Sequence, residues 1–143
     1  MFKTLNDKIS VSPQITVEQV AEAKSMGATL IINNRPDDES PDQTNGAEIE
    51  AAARAAGLDY VAIPVTHSGF SAGQLEAMTK ALASAEGKVL AYCRSGTRST
   101  LLWALSRAKE GANPMQLSST AASAGYDLSP IRPMLDGLAA QAE

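Results

Sequence analysis

Lys88-Val89-Leu90-Ala91-Tyr92-Cys93-Arg94-Ser95-Gly96-Thr97-Arg98-Ser99 is the stretch around which the rest of the chain can be read. Val89 to Tyr92 form a short apolar run of the kind a buried strand makes, and Ser99 to Glu110 carry Leu101, Leu102, Leu105 and Ala108 on one side of a helix. Cys93 to Arg98 then form the turn between them. A strand, turn and helix in that order aim backbone N–H groups and the positive end of a helix into one hollow, which favours an anion. A thiolate is such an anion. Free cysteine ionises near about 8.5, and lower by one to several units at a helix N-terminus beside Arg or Lys. The position therefore predicts a reactive thiol at Cys93, with Arg98 and Arg94 nearby. Gly96 supplies a conformation closed to residues with a Cβ, and Ser95, Thr97 and Ser99 supply hydroxyl donors. A lone cysteine is elsewhere most often a small buried hydrophobe, but the polar and glycine residues after Cys93 would not bury an inert thiol. Arg94 reads equally as a solvated surface charge.

Working outward, Ile9, Ser10 and Val11 alternate like an edge strand that ends at Pro13. Thr16 with Gln19 is a capping-box signal for a helix running to about Met26, with Val17, Val20, Ala21 and Lys24 at helical spacing. Thr29 to Ile32 form a continuous apolar run, the mark of a strand covered on both faces. A polar loop from Asn33 to Asp42 follows, then a helix over about 46–56 and a strand over 60–65 interrupted by Pro64. Ser71 with Gln74 repeats the capping box, and a helix with Leu75, Met78 and Leu82 inward runs to about Ala85. The alternation argues for right-handed crossovers and a parallel sheet. In such sheets ligands bind beyond the carboxyl ends of the strands. Residues 33–42, 66–70 and 93–98 should therefore meet on one rim, bringing Arg35, Asp37, Asp38 and His67 towards Cys93. Asn113-Pro114 and Ser129-Pro130 signal two further helices, over about 114–123 and 130–141. Met115, Leu117, Ile131, Met134, Leu135 and Leu138 read as core, as does Trp103.

The 143 residues predict one domain, 1–143, and 44% hydrophobic with 20% charged residues is ordinary for a globular protein. A net charge of −4 without a basic run argues against a nucleic-acid partner. The first residues lack the apolar core of a signal peptide, and no run of about 18 apolar residues occurs, which predicts a cytoplasmic protein with no membrane partner. One Cys and one His make neither an internal disulfide nor a zinc set. No metal or cofactor is expected, and the oligomeric state stays open.

The loop resembles the active-site loop of rhodanese-type sulfurtransferases, in which Cys-Arg-Ser-Gly-x-Arg-Ser follows a strand and the cysteine carries a persulfide. Protein tyrosine phosphatases use a related loop one residue longer, usually with a His before the Cys. This chain has four residues between Cys93 and Arg98, and Tyr92 in place of the His. As a whole it resembles the phosphatase-like domain of bacterial beta-lactamase-hydrolase-like proteins over roughly residues 7–138. The carriers are Ile9-Ser10-x-x-Pro13-Gln14-Ile15, Ile32-Asn33-Asn34-Arg35-Pro36-Asp37, Ile63-Pro64-Val65 and the Cys93 loop. The resemblance implies an α/β fold with a central parallel sheet of about four strands, flanked by helices on both faces, cysteine-phosphatase-like, with extra C-terminal helices.

Two chemistries follow from the resemblance. Dual-specificity phosphatases place an Asp acid shortly after the strand corresponding to 60–65, where this chain has Thr66-His67-Ser68. The acid would be His67, or Asp37 or Asp38 from the neighbouring loop; His67 reads equally as an exposed loop side chain. The shorter loop also offers one fewer N–H to a phosphate. Both details favour a sulfurtransferase in which Cys93 takes sulfur from a sulfane-sulfur donor, and they predict weak hydrolysis of aryl phosphates. The alternative is a phosphatase that forms phosphocysteine at Cys93, with Arg98 clamping a phosphate ester and His67 or Asp37 as acid. A domain that only binds an oxyanion or a partner is the third reading. In both enzymatic readings the substrate is a small anion, attracted by Arg35.

Overall fold

Two reciprocal caps start two helices at the predicted places. Thr16 Oγ1 accepts from Gln19 N while Gln19 Oε1 accepts from Thr16 N, opening α1 (Val17–Ser25), and Ser71 and Gln74 do the same for α3 (Ala72–Ser84). The structure, a computed structural model, describes residues 2–66 and 68–142. The remaining elements are β1 (Lys3–Thr4), β2 (Ile9–Ser12), β3 (Ala28–Asn33), α2 (Gly46–Ala55), β4 (Asp59–Ala62), β5 (Lys88–Tyr92), α4 (Thr97–Lys109), α5 (Pro114–Ser123) and α6 (Arg132–Ala142).

The sheet has five strands in the order β1-β2-β5-β3-β4. β2, β5, β3 and β4 run parallel, as expected, and the two-residue β1 adds an antiparallel edge that the sequence analysis did not foresee. β5 lies in the middle, so the chain crosses back from the β4 edge to insert it between β2 and β3. Alternation along each strand sends side chains to two cores. Ile31, Leu90 and Tyr92 pack with Val20 and Ala23 of α1 and Ile49 and Ala53 of α2. Val11, Leu30, Ile32, Val89 and Ala91 pack with α3 to α6 on the other face, around the almost wholly buried α4. Helices thus cover both faces, and Trp103 is core.

Several expectations need correction. α1 buries Val20 and Ala23, while Val17 is 40% exposed, because its inward stripe is rotated from the expected one. Met115 and Met134 lie outside the core at 69% and 44% exposed. β4 ends at Ala62, although Ile63 N and Val65 N still donate to Asn33 O and Asn34 O on either side of Pro64, which has no N–H to give. Ser129-Pro130 opens a 3-10 turn over Ser129–Ile131, and α6 begins at Arg132 because Pro133 is tolerated only in the first turn of an α-helix.

Candidate active site

Cys93 stands at the carboxyl end of the central strand, fully buried, with its N–H donating to Ser12 O at 3.3 Å. The chain turns through Gly96, which has φ +93°, and enters α4 at Thr97. Within this turn Gly96 N donates to Cys93 Sγ at 3.1 Å. Ser95 Oγ lies 2.9 Å from Thr97 Oγ1 and accepts from Thr97 N at 3.3 Å. Thr100 closes the first turn of α4, with both its N–H and its hydroxyl on Gly96 O. The N–H groups of Arg94, Ser95 and Arg98 have no acceptor among the described residues. The loop thus carries three backbone donors without an acceptor among the described residues, at a helix N-terminus, which favours an anion. Ser99 Oγ is buried without a hydrogen-bond partner among the described residues.

Arg98 ties the three rim loops together. Its Nη1 and Nη2 each donate to one oxygen of Glu39 at 2.7 Å, and Nη1 also donates to Val65 O at 2.7 Å. This end-on fork leaves the Nε–H and one Nη2–H, which form the side-on fork of a guanidinium, without an acceptor oxygen among the described residues. Glu39 accepts from Arg35 Nε at 3.0 Å as well. Hydrogen bonding to Arg98 and the charge of both arginines hold its carboxyl well below the usual range, at about 2. Glu39 is therefore ionised at any working pH and cannot serve as a proton donor.

The predicted rim residues are placed as follows. Arg35 comes to the site through Glu39, but it is 5% exposed, and its other nitrogens are bonded to Gln14 Oε1 at 2.9 Å and Ser40 Oγ at 3.2 Å. It braces the loop internally. Asp37 Oδ1 accepts from Gly46 N at 2.9 Å, so its carboxylate serves the start of α2. Asp38 is exposed, with φ +64°. Arg94 is exposed, and its carbonyl accepts from Gln14 N at 3.3 Å. His67 lies outside the described residues. Glu39, not Asp37 or Asp38, is the carboxylate on Arg98, and within Asp37-Asp38-Glu39 nothing local in the sequence distinguishes the three. Gln14, on a fourth rim loop between β2 and α1, was also missed. Among the described residues no group of three or more His, Cys, Asp or Glu side chains could hold a metal ion, and no helix is long and apolar enough to cross a membrane.

A mostly parallel five-stranded sheet flanked by helices on both faces is a phosphatase-like α/β fold. The structure of a cysteine-to-serine variant of TpbA from P. aeruginosa in complex with phosphotyrosine shares this fold at a TM-score of 0.67, covering 99% of this chain and 89% of that one at 17% identity. That likeness is one of fold. The chain belongs to the family of phosphatase-like domains of beta-lactamase hydrolase-like proteins, whose model matches residues 1–110. The match stops short of the 138 expected from the sequence, leaving α5 and α6 beyond it. A beta-lactamase hydrolase-like protein of Xylella fastidiosa is 37% identical over 107 residues, which are 75% of this chain and 25% of that protein. The chain thus spans a quarter of the length of that relative. A candidate phosphatase from Neisseria meningitidis has a TM-score of 0.84 at 34% identity, covering 95% of this chain and 96% of that one.

Proposed function

We propose that this chain is a cysteine-dependent phosphatase acting on small aryl phosphate esters. The observation that carries the reading is the allotment of Arg98. Glu39 and Val65 O hold its end-on fork, and the Nε–H and remaining Nη2–H, on a guanidinium close enough to Cys93 to feel its charge, would take two oxygens of a phosphate. The fold neighbours, one of them bound to phosphotyrosine, support the same chemistry. The sulfur-transfer reading suggested by loop length has less support, because the relatives and neighbours lie on the phosphatase side.

In this reading the Cys93 thiolate attacks phosphorus, the S–P bond forms and the bond from phosphorus to the ester oxygen breaks. Water then attacks the phosphocysteine, the S–P bond breaks, and phosphate and thiolate are released. Loop N–H groups and Arg98 stabilise the equatorial oxygens in both steps. Arg35 acts as a brace for Glu39. The departing oxygen needs a proton only when it is a poor leaving group. Of the candidate donors, Glu39 is ionised and Asp37 Oδ1 accepts from Gly46 N, while Asp38 is exposed and His67 lies outside the described residues. p-Nitrophenyl phosphate, whose leaving group needs no proton, is therefore expected to be turned over, and alkyl phosphates only to the extent that Asp38 or His67 supplies one. A leaving-group series with the protein and with Cys93→Ser tests this. No phosphate release from p-nitrophenyl phosphate, or release that survives Cys93→Ser, would contradict the reading.

A further inference from the structure

The chain beyond the family match reaches back into the site through one side chain. α5 ends at Ser123, and the chain turns through Gly125, whose φ is +96°. Gly125 N donates to Ala122 O at 3.0 Å and Tyr126 N to Ala121 O at 2.9 Å. This paired closure with a left-handed glycine fixes where the next residue starts. From there the Tyr126 ring packs against the core on the α4 face, and its hydroxyl donates to Ser95 O at 3.0 Å.

Ser95 O and Gly96 N belong to one peptide unit, and in a trans peptide the carbonyl and the N–H point to opposite edges. On the far edge, Gly96 N donates to Cys93 Sγ at 3.1 Å. The order is phenol, peptide, sulfur, each donating to the next. A Cβ built on Gly96 would lie 2.2 Å from the Tyr126 hydroxyl oxygen and 3.0 Å from Cζ. Glycine at 96 therefore answers two demands, the positive φ and the passage of the phenol. Without the hydroxyl, a peptide next to glycine is free to turn over, which would set a carbonyl oxygen against the sulfur.

We propose that Tyr126 is a positioning residue for Cys93: by donating to Ser95 O it holds the Ser95–Gly96 peptide with its N–H facing the sulfur. The proposal rests on the reading of Cys93 as a nucleophilic thiolate. Burial, then the charge of Cys93, push the phenol pKa up, so Tyr126 stays protonated and able to donate. Hydrogen bonds in series polarise one another, so the phenol also strengthens the N–H that meets the sulfur. The C-terminal helices thereby contribute to a site whose other parts lie within residues 1–110.

Tyr126→Phe keeps the ring and its packing and removes only the donor. The test is the rate of Cys93 alkylation by iodoacetamide across pH, together with kcat and KM for p-nitrophenyl phosphate and a thermal melt. The expected result is alkylation at pH 6 slower by about three- to tenfold, the size of one lost hydrogen bond. The plateau at high pH should be unchanged, and kcat should fall by a like factor with KM near that of the parent. Unchanged alkylation and kcat, with only the melting temperature moved, would overturn the inference and leave the phenol a packing role. A parent protein whose alkylation rises only in the range of free cysteine would overturn the thiolate reading, and the inference with it.

Discussion

A guanidinium carries five N–H groups, and on Arg98 three of them are used by Glu39 and Val65 O. Glu39 therefore orients the arginine without occupying the side on which a substrate would bind. Glu39→Gln keeps the length but can accept with only one oxygen and carries no charge. It is expected to lower kcat about tenfold and to cost about 1–3 kcal/mol, since it leaves Arg35 at 4% and Arg98 at 18% side-chain exposure without their counter-charge. The same pair sets an acid limit. The folded carboxyl ionises at about 2, against 4.5 for an unperturbed one. Its contribution is therefore fully present above the unfolded value and drains away as pH falls towards 2. Urea midpoints measured from pH 5 to pH 2 should fall more steeply in the parent than in Glu39→Gln; parallel curves would remove Glu39 from the account. That Cys93 and Arg98 share one turn was legible in the sequence because strand, turn and helix are contiguous there. Glu39 was not, because its partner is 59 residues away and nothing local announces the pairing.

Helix starts were legible for the same reason, since a cap is a local bargain between a side chain and the next turn. Thr16→Ala should remove one half of the α1 capping box and cost about 1 kcal/mol, with kcat unchanged. A loss of activity at unchanged stability would mean that α1 does more than support the sheet. Inward faces were less legible. In α1 the stripe runs through Val20 and Ala23, and the two apolar candidates on the expected stripe, Val17 and Ala21, are exposed. In α5 and α6 the buried residues are Leu117, Ala121 and Leu135, not the methionines. Periodicity says that a helix has an apolar side, but which side touches depends on the neighbour it meets, and that neighbour comes from elsewhere in the chain.

Alternation of strands and helices predicted a parallel sheet and a rim of loops, and Arg98 does join three of those loops. Strand order was not legible. Placing β5 between β2 and β3 requires pairings distant in sequence, and it is this central position that lets loops from β2, β3 and β4 all reach the turn from Cys93 to Arg98. On the choice of chemistry, the four-residue interval and the missing carboxylate after Val65 point to sulfur transfer, whereas the family and a structural neighbour at 34% identity are described as phosphatase-like or phosphatase and support the alternative better. The most direct test is mass spectrometry of the group carried by Cys93. The protein would be quenched in acid during turnover of p-nitrophenyl phosphate and, separately, after incubation with thiosulfate. The account expects a phosphoryl group on Cys93 in the first sample and an unmodified thiol in the second. A sulfur atom on Cys93 in the second, with no phosphoryl group in the first, would contradict it.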